Sequence, residues 1–392
     1  MKNLKLPHKQ LIADHIAGLP RSGIRDFFEL VIGMEEVISL GVGEPDFATP
    51  WHIREATIYS LEKGHTSYTS NLGLLSLRKE ICRYLRKEYQ LNYIPEKECI
   101  ITVGVSEALD LILRAIINPG DEIIYHEPCY VSYGPEIIMA GGKPVPLVTQ
   151  EKNAFSLNPD QLAGLITSKT KAILLNFPCN PTGALLSPGQ LKKIAAIAMA
   201  HDLLVITDEI YSELVYDDEI FSIASLPGMK ERTIFLHGFS KAFAMTGYRI
   251  GYACGPAELI EAMMKIHQYS MLCASIIAQE AAIEALKNGA AEKEKMRRKY
   301  GERRDFIVDQ LNEMGMKCLK PKGAFYVFPN ISAFGLSSKE FATRLLKEKN
   351  VALVPGTAFG ACGEGYVRCA YAASMENIIE AMDRIKVFLV NL

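Results

Sequence analysis

Residues 237–252 read HGFSKAFAMTGYRIGY, with Lys241 and Arg249 eight positions apart among small and apolar residues. An unpaired charge is costly in such company. Either both side chains snorkel outward from a half-buried strand, or Lys241 is a reactive amine and Arg249 holds an anion. Other stretches carry groups of a matching kind. Gly104, Val105 and Ser106 open an amphipathic helical pattern, where free N–H groups, a hydroxyl and a helix dipole suit phosphate. Arg249 could add a bidentate contact to the same anion. Tyr130 offers a plate for stacking on a flat ring. Asn180 lies in CNPTG, and Asp208 and Tyr211 in TDEIY. Asn180 ahead of Pro181 also reads as a turn residue, and Asp208 as a cap for the next helix.

What must position these groups is a succession of short elements. CIITV (99–103), DEIIYHEP (121–128), KAILLNFP (171–178), LLVITDE (203–209), TIFLHGF (233–239) and RIGYACG (249–255) are apolar runs of buried-strand type. Helical patterns lie over 78–89, 106–117 and 188–202. Such alternation predicts an α/β fold with a mostly parallel sheet covered on both faces. The expected organisation is an arm with a helix and part of the small domain over 1–47, a large domain over 48–290, and a smaller α+β domain over 291–392. The charged stretch 290–315 is expected as a solvated connecting helix, since its apolar positions do not sustain heptads. Ligands of open α/β sheets bind at the carboxyl ends of the strands. Five strands, expected to be consecutive, end on Gly104–Ser106, Tyr130, Asn180, Asp208/Tyr211 and Lys241.

The 392 residues are 49% hydrophobic and 22% charged, with a net charge of −2. That balance gives no electrostatic case for nucleic acid, and no basic run points to a membrane surface. Nine scattered cysteines without C-x-x-C spacing signal neither a disulfide framework nor a zinc site. Buried free thiols in a reducing compartment are expected instead. Residues 1–20 lack an apolar core of signal-peptide length, and no apolar run could span a bilayer. The expected location is cytoplasmic. No glycine-rich run closes with G-K-[ST], and Gly41-Val42-Gly43 does not extend to G-x-G-x-x-G. GFSKA begins like a hydrolase elbow but ends in Ala242.

One ligand asks for an amine, an acid, an anion site and an aromatic plate together: a phosphorylated, hydroxylated pyridine aldehyde, pyridoxal 5′-phosphate. GEPDFATP (43–50), SYTSNLGLLSLR (67–78), NFPCNPTG (176–183), TDEIYSEL (207–214), GFSKAFAMTGYRIG (238–251), KGAFYVFP (322–329) and VPGTAFG…GEGYVRCAYA (354–372) stand in the order used by class I/II aminotransferases of fold type I. The chain resembles that family, in its aspartate/alanine/aromatic group, over nearly its whole length.

The resemblance implies that Lys241 forms an imine with the cofactor and later shuttles the substrate α-proton. Asp208 would keep the pyridine nitrogen protonated, Tyr211 and Asn180 would bind the ring hydroxylate, and Tyr130 would stack. Ser106, the Val105 amide and Arg249 would hold the phosphate. Tyr68 would reach a partner's phosphate across the interface of a homodimer with shared active sites. Arg368 would pair with the substrate α-carboxylate, which Gly43 would approach through its backbone. Gly238 stands where relatives often carry a phosphate-binding serine, and Ser240 is the candidate to compensate. Two cations that relatives use for a distal carboxylate are missing: a lysine in place of Ser106, and a partner arginine near 265–275. Alanine or aromatic donors are therefore expected, with aspartate open and 2-oxoglutarate the usual acceptor in a ping-pong reaction. A diaminopimelate-pathway aminotransferase shares the SGIR…FF opening at 22–28, and a carbon–sulfur β-lyase could use the same lysine. A regulator with a DNA-binding domain is disfavoured, because GEPDF begins by residue 43.

Overall fold

The computed structural model describes residues 11–21, 23–29, 31, 34 and 36–392. Residues 1–10 of the expected arm and Ser22 of the SGIR opening lie outside the described residues.

Seven strands form the central sheet: β1 (Cys99–Thr102), β2 (Glu122–Glu127), β3 (Lys143–Val148), β4 (Thr170–Asn176), β5 (Leu204–Asp208), β6 (Thr233–Gly238) and β7 (Gly251–Cys254). Their spatial order is β1-β7-β6-β5-β4-β2-β3. All pairings are parallel except those of β7, which runs antiparallel to both neighbours. The apolar runs bury both faces, as a doubly covered sheet requires. Along β6, Ile234 and Leu236 join the cluster under helices Gly104–Ile116 and Ala257–Ser270, while Phe235 faces the cluster of helices Leu75–Tyr89 and Ile276–Asn288.

Two expectations change here. The strands that end on candidate groups are not consecutive, because β3 intervenes. Its sequence, KPVPLV, carries two prolines, which cannot donate to a ladder and confine it to the sheet edge. The helix over Ala290–Glu313 is also not simply solvated. Met296, Tyr300, Arg303, Ile307 and Leu311 recur at three- and four-residue steps and are buried. Arginine within that stripe hides it from an apolar-only reading. Arg303 forms a two-pronged bond to Asp46, at 2.8 and 2.9 Å, tying the helix to the GEPDF segment.

The remaining elements pack around one further core. Strands Tyr326–Val327, Val354–Pro355 and Val367–Ala370 make an antiparallel sheet in the order Val354–Pro355, Val367–Ala370, Tyr326–Val327. Helices Ser338–Lys349 and Met375–Val390 bury Phe341, Leu345, Ile378, Ile385 and Phe388 in the same cluster. Near the amino end, Ile38–Ser39 pairs in parallel with Val351–Ala352. The helix Gly23–Glu29 packs on the Val354–Pro355 strand and the turn Gly356–Phe359.

Candidate active site

A cavity of about 630 Å³ opens where β5, β6 and the antiparallel sheet meet. Val105, Ser106, Tyr130, Asn180, Asp208, Tyr211, Ser240, Lys241, Arg249, Gly43 and Arg368 all line it. Tyr68 does not. Its side chain is 83% exposed, so it contributes nothing to the cavity of its own chain.

Strand direction explains the convergence. Lys241 follows the end of parallel β6, whereas Arg249 precedes the start of antiparallel β7. Both therefore fall on one sheet edge. Gly251 opens β7 and pairs with both Gly238 of β6 and Thr102 of β1. A methyl on Gly251 would sit 2.7 Å from Gly104 C and from the Val105 nitrogen, and one on Gly104 would sit 2.6 Å from Arg249 Nη2. Gly104, at φ +75°, also adopts a conformation that side chains rarely accept. The absent side chains bring the helix start, Arg249 and β7 together around a small cup. A serine at Gly238, common in relatives, would be crowded: a Cβ there meets Gly251 Cα, Ile250 O and Val105 Cγ2 at 3.1 Å, so those neighbours would have to give by a few tenths of an ångström. Ser240, two residues beyond β6, faces the cavity instead.

Along the sheet edge the polar groups are chained. The β4–β5 register sets Asn176 opposite Asp208. Asn176 Nδ2 donates to the Asp208 carbonyl at 2.9 Å, and its Oδ1 accepts from the Asn180 amide at 3.3 Å. Asn180 Oδ1 accepts from Arg368 Nη1 at 2.9 Å, and Gly41 O from Nη2 at 2.6 Å. Arg368 is only 2% exposed, lies over the Tyr326 and Phe359 rings, and its Nε is buried without a hydrogen-bond partner among the described residues. Tyr211 and Tyr326 share a hydroxyl–hydroxyl bond of 2.8 Å. A methyl on Gly43 would overlap the Tyr326 hydroxyl, so only glycine lets that backbone pass.

Charges in the cavity are shifted by these surroundings. Burial pulls Lys241 down to about 8; Glu44 opposes this, while Arg368 and Arg249 add to it. Its Nζ donates to Gly43 O at 2.5 Å. Burial pushes Asp208 up to about 6, against hydrogen bonds from Tyr133 Oη (2.8 Å) and the Ile210 amide (3.2 Å). Among the described residues no cationic side chain forms an ion pair with Asp208. Burial pushes Glu136 to about 8, helped by Asp110 and Asp208, and its Oε2 is buried without a partner.

Several lining residues were not singled out from the sequence: Tyr133, Asn176, Glu136, Tyr326 and Arg25. Tyr133 lies three residues after Tyr130 and opens the helix Tyr133–Met139, and Asn176 and Tyr326 stand inside motifs already noted. Arg25 is the arginine of the SGIR opening, but nothing in that motif placed it at the site, because its short helix reaches the cavity only through tertiary packing.

A cup beside a helix start, a buried unpaired carboxylate and a lysine of lowered pKa on one edge of an α/β sheet define a fold type I site for a phosphorylated pyridine aldehyde. A profile of the family "Aminotransferase class I and II" matches residues 35–385. "Putative aminotransferase YugH" of Bacillus subtilis is 53% identical, over 96% of this chain and 98% of the other. "Aspartate aminotransferase" of Pyrococcus abyssi is 47% identical, over 96% and 97%. The crystal structure of an aromatic aminotransferase from Pyrococcus horikoshii superposes with a TM-score of 0.90 at 46% identity, over 94% of this chain and 99% of that one. The chain belongs to the class I and II aminotransferase family and carries out pyridoxal-phosphate-dependent transamination.

The residues present fit that cofactor. Asp208 is a buried acceptor with no ion-pair partner among the described residues, and a pyridinium N–H would supply one. The glycine-lined cup leaves backbone N–H groups of the first helical turn free for phosphate. Arg368 Nε is a buried charged donor awaiting an anion.

Proposed function

We propose that this chain exchanges the α-amino group between a 2-oxo acid and an amino acid of the aspartate, alanine or aromatic type, with 2-oxoglutarate as acceptor, in two half-reactions. The relatives named for aspartate and aromatic substrates support this reading. The observation that carries it is Arg368: a buried guanidinium with an unpartnered Nε, in the same cavity as Lys241. Such a group binds a carboxylate through a two-pronged contact, and every α-amino acid has one.

Bound pyridoxal phosphate supplies an aldehyde for the amino group and an electron-accepting ring. Asp208 would hold a proton at the ring nitrogen, and its burial would strengthen that attraction. Tyr130 would stack on the ring, while Asn180 and Tyr211 would donate to the ring oxygen. Val105, Ser106, Ser240 and Arg249 would hold the phosphate. Lys241, lowered to about 8, is neutral in a useful fraction, so it would accept the α-proton from the substrate carbon as a base and release it at the cofactor carbon that carries the nitrogen. Gly43 offers its carbonyl to Lys241 and its bare backbone to the substrate carboxylate. The exposed Tyr68 is a residue for a partner's site, so we read the protein as a homodimer with shared sites. No helix among the described residues is long and apolar enough to cross a membrane. The nine free cysteines, seven of them buried, suit a reducing, cytoplasmic setting. Residues 48–290 form the cofactor-binding domain in this reading, with 1–47 and 291–392 as the smaller unit around it.

A half-reaction screen tests the proposal. Cofactor-loaded protein is mixed with single amino acids and the bound-cofactor absorbance is followed. Conversion by aspartate, alanine or aromatic donors, reversed by 2-oxoglutarate, is expected. Steady release of pyruvate and ammonia from cysteine or cystathionine, without that conversion, would make it a β-lyase instead.

A further inference from the structure

Four cationic side chains line the cavity, and three have partners: Lys241 donates to Gly43 O, Arg249 to Thr246 O, and Arg368 to Asn180 and Gly41 O. Arg25 is the fourth, and among the described residues it has no hydrogen-bond or ion-pair partner. An arginine held at a cavity wall with its fork free is a ready receptor for a planar anion.

Its placement says which part of a substrate it would meet. Arg25 sits on the helix Gly23–Glu29, which packs on the Val354–Pro355 strand and the Gly356–Phe359 turn. Val354 is the cross-strand partner of Arg368, and Phe359 lies 4.7 Å beneath the Arg368 guanidinium. Adjacent Ile24 packs into the same Val354–Phe359 cluster. Arg25 and Arg368 thus belong to one wall, away from the Gly104–Arg249 cup. Ile24, Val42 and Arg25 line the same cavity as Arg368, so a substrate anchored on Arg368 by its α-carboxylate would have them available to its side chain. The three acids of the cavity are engaged elsewhere: Asp208 accepts from Tyr133 and the Ile210 amide, Glu44 accepts from the Thr246 hydroxyl, and Glu136 lies by Asp208.

We propose that Arg25 is the receptor for the distal carboxylate of dicarboxylic substrates, supplied from this chain's own amino-terminal helix. The inference rests on the transamination reading and names a substrate class for that site. Apolar Ile24 and Val42 in the same stretch let alanine or aromatic side chains use the site without engaging the guanidinium.

The test compares cofactor-loaded wild type, Arg25→Met and Arg25→Lys. Half-reaction rates are measured with L-aspartate, L-glutamate, L-alanine and L-phenylalanine. Calorimetry then compares succinate with butyrate, which has the same length but one carboxylate. Arg25→Met should lower kcat/KM for aspartate and glutamate, and the affinity for succinate, by roughly 10- to 100-fold, the scale of a hydrogen-bonded charge pair. Alanine, phenylalanine and butyrate should stay within about threefold, as a deletion confined to the distal end requires, and Arg25→Lys should fall between. Equal losses across all ligands, unchanged dicarboxylate binding, or a wild type that takes no dicarboxylate would each overturn the assignment. Failure of the transamination reading looks different: no donor of any class would convert the wild type, and succinate against butyrate would still decide the role of Arg25.

Discussion

Tyr133 donates its hydroxyl to Oδ2 of Asp208 at 2.8 Å, from the helix that begins three residues after Tyr130. The bond favours the charged carboxylate, and burial opposes it. The Ile210 amide and the Lys241 charge also favour the carboxylate, and the balance leaves Asp208 at about 6, above its ordinary 3.8. Asp208 is therefore an unneutralised charge that the fold tolerates for the cofactor.

Replacing that charge should stabilise the empty protein. Because the folded value is raised, the folded state holds more protons than the unfolded state between pH 3.8 and about 6. The side chain's contribution is thus present below 3.8 and lost as pH rises through 6. Asp208→Asn should raise the stability of cofactor-free protein at pH 8 by up to about 3 kcal/mol, from two pKa units at ~1.4 kcal/mol each. The same change should weaken cofactor binding. Thermal melts of cofactor-free and loaded protein at pH 8 check both halves, and a lower Tm for the empty variant would refute the account.

The cup at the helix start should be intolerant of a single methyl. In Gly251→Ala the new Cβ would lie 2.7 Å from Gly104 C and the Val105 nitrogen. Overpacking of this kind costs about 1–3 kcal/mol, and here it displaces the backbone that would hold phosphate. Cofactor affinity should fall more than tenfold, on the scale of 1.4 kcal/mol per decade. Gly189→Ala is the control, since a methyl there meets nothing nearer than 3.9 Å. Fluorescence titration with pyridoxal phosphate measures the contrast, and equal affinities would dismiss the cup.

Much of this site was legible because chemistry and topology coincide. Polar residues after buried strands mark a sheet edge, and Lys241, Asp208 and Asn180 were found that way. Arg249 could be suspected as an anion holder, but its place on that edge depends on the antiparallel direction of β7, which an apolar run does not announce. The edge strand Lys143–Val148 was hidden by Pro144 and Pro146. The buried stripe of the helix Ala290–Glu313 was masked by Arg303, whose charge is met by Asp46 more than 250 residues away. Tyr133, Asn176 and Glu136 act through packing across elements, and Arg25 reaches the cavity through a helix docked on the far end of the chain. Each depends on long-range contacts that local periodicity does not encode.

Lys241 should make cofactor capture depend on pH in a defined direction. Only the neutral amine attacks an aldehyde. With a folded value near 8, the neutral fraction falls about tenfold per pH unit below 8 and saturates above it. The second-order rate of pyridoxal phosphate uptake by cofactor-free protein should rise from pH 6 to 8 and level off by 9. A free lysine, near 10.4, would go on rising beyond that. Stopped-flow absorbance between pH 6 and 10 separates the two profiles, and a rate still climbing steeply at pH 10 would show an unshifted amine.

Behind β6 lies a buried pair that the reaction does not use. Glu213 accepts from Lys293 Nζ at 2.5 Å and Tyr89 Oη at 2.9 Å, and His237 Nε2 lies 4.0 Å away. Burial pushes Glu213 up, yet Lys293 and His237 hold it below its usual value. Lys293 belongs to the helix Ala290–Glu313 and Glu213 to the turn Ser212–Leu214 that follows β5, so the pair fastens that helix to that turn. Removing one partner strands the other charge in the interior. Lys293→Met should cost about 3–5 kcal/mol, and adding Glu213→Gln should recover most of it, because no uncompensated charge remains. The amide oxygen still accepts from Tyr89. Urea unfolding at pH 7 of both single variants and the double variant gives the coupling energy. Strictly additive losses would mean that Glu213 and Lys293 contribute independently, and the fastening role would fall.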